Sequence, residues 1–287
     1  MREYLDLVKY VLDNGTAQKN RTGVDTLSCF ACSYQVDLQN GFPLLTTKKV
    51  NFDAMLHELF WYLSGQAHIR DLRTKTRIWD DWADGEGRLE TAYGRFWRRF
   101  PVPSQAAEGE KWGTRWISTD PETGDRTFDQ IRYIIDILKE IKQNPATPNR
   151  RRMVVTAWHP GNAAESKLPP CHYTFCFSVI GDRLNCHLTQ RSGDIALGIP
   201  FNLACYSLLT MMMARETGFK PGRFAHTIID AHIYANHIEG LKQQLTREPR
   251  KLPLVEIATK PFFELTASDI TLEGYDPHPG IKFSVAV

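Results

Sequence analysis

The segment Lys167-Leu168-Pro169-Pro170-Cys171-His172 places a cysteine directly behind two prolines. Proline fixes its own φ and drives the residue before it into extended backbone, so the thiol is presented at a set point where the chain enters strand-like text. A thiol becomes a strong nucleophile when nearby cations favour the thiolate. The candidate cations are Arg191, in Gln190-Arg191-Ser192-Gly193-Asp194, and the run Arg150-Arg151-Arg152. Guanidinium groups also suit a phosphate dianion. Taken one at a time, a buried structural cysteine and a solvated arginine run compete with these readings. Glu58 interrupts the apolar stretch FDAMLHELFWYLSG, and a carboxylate there is costly unless it is partnered or functional.

Other spacings point away from chemistry. His232 and His237 stand five residues apart, which does not give the shared helical face of an i, i+4 zinc pair, so no metal is assigned. GDIALGIPFN carries neither the Gly-x-Gly-x-x-Gly nor the Gly-Lys-Ser/Thr phosphate loop. Cys29-x-x-Cys32 falls within TLSCFACSYQVDL and is read as two buried structural thiols, because no second Cys/His pair stands at finger spacing.

The elements that must hold these groups follow from periodicity. Tyr4, Leu5, Leu7, Val8, Val11 and Leu12 share one face of a helix over 2–14 that ends at Asn14-Gly15. A turn at Asn20-Arg21-Thr22-Gly23 leads to a strand over 26–38, and Asn40-Gly41-Phe42-Pro43 breaks it. A long apolar helix covers roughly 51–64. Residues 101–126 are rich in Pro, Gly and charge and are read as an insertion or surface loop. A helix over roughly 127–143 precedes the β-rich runs MVVTAW, YTFCFSVI and LNCHLTQ, followed by helices over roughly 202–217 and 233–246 and closing strand text. Segregated strands and helices predict an α+β fold rather than a doubly wound α/β sheet.

The 287 residues, 42% of them hydrophobic, suit one large domain. With 35 Lys+Arg against 33 Asp+Glu, no global field draws the chain to DNA or to an anionic membrane, and an anion site must be local. The apolar runs fall short of the roughly 18 residues that span a bilayer. MREYLDLVKYVLDNG is not signal-like, so a cytoplasmic location with six reduced cysteines is expected.

Together, NRTGVDTLS, GFPLLTTKK, HELFWYLSG, IWDDWAD, RRMVVTAW, LPPCH, QRSGDIALGIPFN, DAHIYANH, REPR and EGYDPHPGIK resemble the folate-dependent thymidylate synthase family from the first helix to the last residue. The resemblance implies a large mixed β-sheet flanked by helices, packed back to back with that of a second subunit. It implies that Cys171 attacks C6 of dUMP and that 5,10-methylenetetrahydrofolate supplies the one-carbon unit, with no metal. It also implies an obligate homodimer in which Arg151 and Arg152 cross to the neighbouring subunit.

By position, the resemblance makes Cys171, Glu58, Tyr93, Asp194, Asn202 and Arg191 catalytic. Arg21, Arg191 and Ser192 would hold the phosphate together with Arg151 and Arg152. Asn202 would read the N3–H and O4 edge of uracil, His232 and Tyr234 the 3′-hydroxyl, and His172 and Gln190 would complete the dUMP contacts. The folate would meet Lys48, Ile78, Trp79, Trp82, Asp194, Leu197, Gly198 and Phe201, with Val287 closing over it as a lid.

The chain departs from the family pattern at Tyr173, Cys176, Ile229 and Leu89-Glu90-Thr91-Ala92-Tyr93-Gly94. Glu90 is an acidic group near the tyrosine and could position a water. The main expectation is reductive methylation to dTMP and dihydrofolate. The alternative is a hydroxymethylase that adds water to the same intermediate and makes 5-hydroxymethyl-dUMP. A remote third reading is a noncatalytic nucleotide- or RNA-binding relative.

Overall fold

The computed structural model describes residues 1–102, 114–120 and 123–285. In chain order the elements are α1 (Arg2–Asn14), β1 (Thr16–Gln18), β2 (Thr26–Asp37), α2 (Phe52–Ser64), α3 (Tyr93–Arg98), β3 (Phe100–Pro101), β4 (Ile117–Thr119), β5 (Arg126–Phe128) and α4 (Gln130–Gln143). They continue with β6 (Val154–Thr156), α5 (Pro160–Glu165), β7 (Thr174–Ile180), β8 (Arg183–Asp194), α6 (Gly198–Thr217), β9 (Lys220–Tyr234), α7 (Ile238–Leu245), β10 (Leu254–Ile257) and β11 (Ile270–Glu273). The chain divides into two compact units, one of Met1–Met55 with Val179–Val287 and the other of Leu56–Ser178.

The first unit is built on a mixed sheet in the order β1-β2-β9-β8. β2 runs antiparallel to β9, and β8 runs parallel to it. The register sets Ser192 opposite Asp230 and Asp194 opposite His232, while Ser28 also faces His232 and Thr26 faces Tyr234. The ends of three strands are thereby brought together, as cross-strand neighbours require.

α6 supplies the core. Its Leu203, Leu208, Leu209, Met212 and Met213 are fully buried, each worth about 1.5–3 kcal/mol relative to exposure. An apolar surface on every side explains why this helix lacks an amphipathic pattern. α1 has the opposite character and buries only Tyr4, Leu7, Val8 and Val11. The Tyr4 hydroxyl donates to the Ile195 carbonyl at 2.9 Å, just beyond β8.

In the second unit, Asp129 caps α4 by accepting from the Arg132 amide and pairs with Arg98 at 3.0 Å. Ile131, Ile134, Ile135, Leu138 and Ile141 form the buried stripe of α4. Gln130 ties three elements together. Its amide donates to Phe96 O and Thr156 O, both at 2.7 Å, and accepts from the Thr156 amide at 2.9 Å.

Several sequence expectations need correction. α6 begins at Gly198 rather than 202, because the turn after Asp194 already supplies helical backbone. Residues 233–234 finish β9 and Ala235–His237 make a 3-10 turn, so the helix expected from 233 starts only at Ile238. Where 101–126 was read as loop, the described part contributes to a three-stranded antiparallel sheet in the order β3-β5-β4. Such short strands carry too little alternation to be read by pattern. The rest of that segment, including 103–113, lies outside the described residues. Among the described residues, no helix is long and apolar enough to cross a membrane.

Candidate active site

In the second unit the site forms around Tyr62, whose ring lies 5.5 Å from that of Tyr93, 5.8 Å from His172, 5.2 Å from Trp97 and 6.5 Å from Trp79. Tyr93 stacks on His172 with centroids 3.7 Å apart and planes 4° from parallel. The Tyr93 hydroxyl oxygen accepts the Cys171 backbone N–H at 2.7 Å. The amide of the proline-fixed thiol residue is thus anchored by a buried phenol, and the Cys171 side chain stays partly exposed. Gly94 is required because a Cβ there would lie 2.1 Å from the Tyr62 carbonyl oxygen.

Glu58 is buried on α2 and accepts the indole N–H of Trp79 at 2.7 Å. Burial raises its pKa to about 7, against the opposing hydrogen bonds from Trp79 and Tyr62. A carboxyl group poised near neutrality can give and take a proton. Tyr62, one helical turn after Glu58, was missed at the sequence level, although an i, i+4 spacing on an apolar helix is a readable signal.

In the first unit, Asp194 closes β8 and accepts from the Ala196 and Leu197 amides at 2.8 and 3.3 Å. It thereby turns the chain into α6, where Leu197, Gly198, Phe201 and Asn202 occupy the first turns. At Gly193 an added Cβ would lie 2.7 Å from Ile199 Cδ1 and 2.9 Å from Ile228 Cγ2, so those side chains would have to shift to admit it. On β9, the His232 imidazole lies 3.6 Å from the Asp230 carboxylate. This neighbouring imidazole is the main reason the Asp230 pKa is lowered, and Arg191 adds to the effect. Burial raises the Tyr234 pKa, and the exposed Arg21 occupies the turn before β2.

His237, weighed in the sequence only as a metal ligand, has a different setting. Its Nε2 donates to the Ser284 carbonyl at 2.7 Å, and its Nδ1 lies 3.7 Å from Asp194 Oδ1, a charge contact rather than a hydrogen bond. Burial opposes the charged ring, but Asp194 and the Ser284 carbonyl outweigh it and raise the pKa. His232 and His237 therefore face different partners.

Lys48 is 5% exposed, donates to the Ala196 carbonyl and lies over the Phe283 ring at 4.5 Å. Burial lowers its pKa to about 8, opposed by Asp194.

The remaining expected residues are placed as follows. Gln190 is buried and Ser192 partly exposed at the end of β8. Arg151 ends a 3-10 turn, and it and Arg152 are exposed. Ile78 is 41% exposed, while Trp79 and Trp82 are partly exposed. Glu90 is exposed, whereas Tyr93 is buried. Val287 lies outside the described residues. All six cysteines are free thiols. Burial raises Cys32 to about 11, and Cys29 is partly exposed rather than buried.

A presented thiol and a near-neutral carboxylic acid, joined through Tyr62 and Tyr93, equip a group-transfer enzyme that works by covalent and acid–base catalysis. The family profile described as thymidylate synthase matches residues 2–287. A protein named thymidylate synthase from Haloferax volcanii is 47% identical, with the alignment covering 98% of this chain and 95% of that protein. The chain belongs to the thymidylate synthase family. It is accordingly a one-carbon transferase whose cosubstrate is 5,10-methylenetetrahydrofolate.

Proposed function

We propose that the chain works as a single catalytic domain that converts dUMP to dTMP. The Cys171 sulfur adds to C6 and places an electron pair on C5, which bonds to the methylene carbon delivered by the folate. C5 then loses its proton, and the folate nitrogen leaves as the exocyclic methylene forms. A hydride from the reduced folate completes the methyl group, and the Cys171 sulfur departs from C6. The products are dTMP and dihydrofolate. The observation that carries this reading is the near-neutral Glu58 in the same aromatic cluster that fixes the Cys171 amide.

Glu58 moves protons to and from the base, and Tyr93 assists loss of the C5 proton. Arg21, Arg191 and Ser192 grip the phosphate, with Arg151 and Arg152 donated by the partner in a homodimer. Asn202 matches the donor and acceptor on the uracil edge. His232 and Tyr234 hold the 3′-hydroxyl, and His172 and Gln190 complete the nucleotide contacts. Asp194 meets the pterin, while Ile78, Trp79, Trp82, Leu197, Gly198 and Phe201 line its place. Lys48 meets the glutamate tail, and Val287 closes over the ligands. Six free thiols support a reducing, cytoplasmic setting.

The test is intact-protein mass spectrometry of rapidly denatured enzyme mixed with dUMP and the reduced folate. An adduct mapped to the peptide of Cys171 is expected, and an adduct on another cysteine contradicts the assignment. Shared sites are tested by mixing inactive Arg151→Ala and Cys171→Ala proteins. Partial recovery of activity is expected, and none would oppose donation across the dimer.

A further inference from the structure

Three side chains, on strands far apart in sequence, form a continuous hydrogen-bonded line beneath the Arg191–Ser192 segment. Tyr34 on β2 stands directly opposite His226 on β9, and Gln190 on β8 lies two residues along from the His226 partner Leu188. The Tyr34 hydroxyl is 3.0 Å from His226 Nδ1, and His226 Nε2 is 3.0 Å from Gln190 Oε1. Gln190 Nε2 donates to the Ser192 carbonyl at 3.0 Å.

The direction of every bond follows from its last member. A backbone carbonyl only accepts, so the amide nitrogen of Gln190 must face Ser192 and the amide oxygen must face His226. His226 Nε2 therefore carries the proton. In a neutral ring this leaves Nδ1 as the acceptor, which the Tyr34 O–H fills. His226 is 0% exposed, and burial, with His187 nearby, lowers its pKa to about 3. Burial also raises the Tyr34 pKa well above the usual phenol value, which keeps its proton in place. The groups facing the ring are Tyr34 from β2, Gln190 and His187 from β8, and Phe224 on its own strand.

We propose that Tyr34 and His226 are positioning residues that lock the Gln190 amide and the Ser192 carbonyl, and so set the presentation of Arg191 and Ser192 to the nucleotide phosphate. The inference rests on the reading of Gln190, Arg191 and Ser192 as dUMP contacts. Without the Tyr34 donor, the proton of His226 can move to Nδ1 and the Gln190 amide can turn over. Its oxygen then faces the Ser192 carbonyl, and the two acceptors repel. The end of β8 that carries the phosphate ligands must shift, so nucleotide affinity falls before the chemistry does.

The test compares dUMP dissociation constants, kcat and thermal midpoints for the parent, Tyr34→Phe, His226→Leu and His226→Gln. Loss of one buried hydrogen-bond partner is expected to weaken dUMP binding about tenfold in Tyr34→Phe and His226→Leu, with kcat changed less than about threefold. His226→Gln, which keeps an N–H for Gln190, is expected to recover most of that loss. In the parent, imidazole nitrogen NMR should show His226 as the neutral Nε2–H form from about pH 5 to pH 8. An Nδ1–H form, a His226 that titrates in this range, or a folded His226→Leu protein with parental dUMP affinity would overturn the relay. A parent that does not bind dUMP overturns the functional reading itself, a result distinct from equal binding by parent and variant.

Discussion

Trp79 donates its indole N–H to Glu58 across 2.7 Å, inside a cluster that leaves the glutamate 7% exposed. That bond favours the carboxylate, yet desolvation prevails and the pKa settles at about 7. Because the folded pKa lies above the unfolded one, the protonated form is favoured by folding. Stability is then full below pH 4.5 and lost as pH rises toward about 7. Glu58→Gln is expected to raise the thermal midpoint at pH 8, relative to the parent, more than at pH 5, reflecting a contribution on the order of 3 kcal/mol. The same variant should lose about 100-fold or more in kcat. An equal shift at both pH values would show that the carboxyl group is not held neutral.

Gly94 has no room for a side chain against the Tyr62 carbonyl. Gly94→Ala is expected to cost about 3 kcal/mol or more in denaturant unfolding, at the upper end of overpacking effects. Because Tyr93 and Tyr62 must separate to admit the methyl group, any folded fraction should also lose turnover. A variant of parental stability and activity would contradict the close approach.

The His237 contact with Asp194 strengthens when the ring is protonated. Its folded pKa is raised, so this stabilisation is full below about pH 6.5, the ordinary histidine value, and is lost as pH rises through the higher folded value. Hydrogen exchange across the segment around Phe283 and Ser284 is expected to quicken, beyond the intrinsic rate, over that window in the parent. His237→Gln, which retains a donor for the Ser284 carbonyl, should flatten the dependence. The same steepness in both proteins would assign it elsewhere.

Glu90 is exposed, and surface substitutions away from special contacts fall within about 0.5 kcal/mol. Glu90→Gly is therefore expected to leave stability, rate and product unchanged, as read by unfolding and by nucleotide chromatography. A change in the ratio of methyl to hydroxymethyl product would restore a role for it.

What could be read from sequence was local. The stripe of α1 and the lone carboxylate of the Glu58 helix announce themselves within a dozen residues, and the two prolines fix the approach to Cys171 without tertiary help. β9 was harder. No element was read between the helices expected over 202–217 and 233–246, and the last residues of β9 were absorbed into the second of them; both ends gain their strand character from pairing with β2 and β8. Tyr34 and His226 are 192 positions apart, so their opposition exists only in the sheet register. The settings of Lys48 and His237 depend in the same way on Phe283 and Ser284 at the far end of the chain.

The most direct measurement of the central claim is the mass of the nucleotide formed from dUMP and 5,10-methylenetetrahydrofolate, with absorbance for dihydrofolate followed in the same tube, for the parent and for Cys171→Ala. The parent is expected to add one methyl group per dihydrofolate released, and the variant to add nothing. A hydroxymethyl product without dihydrofolate, or undiminished turnover by Cys171→Ala, would contradict the account.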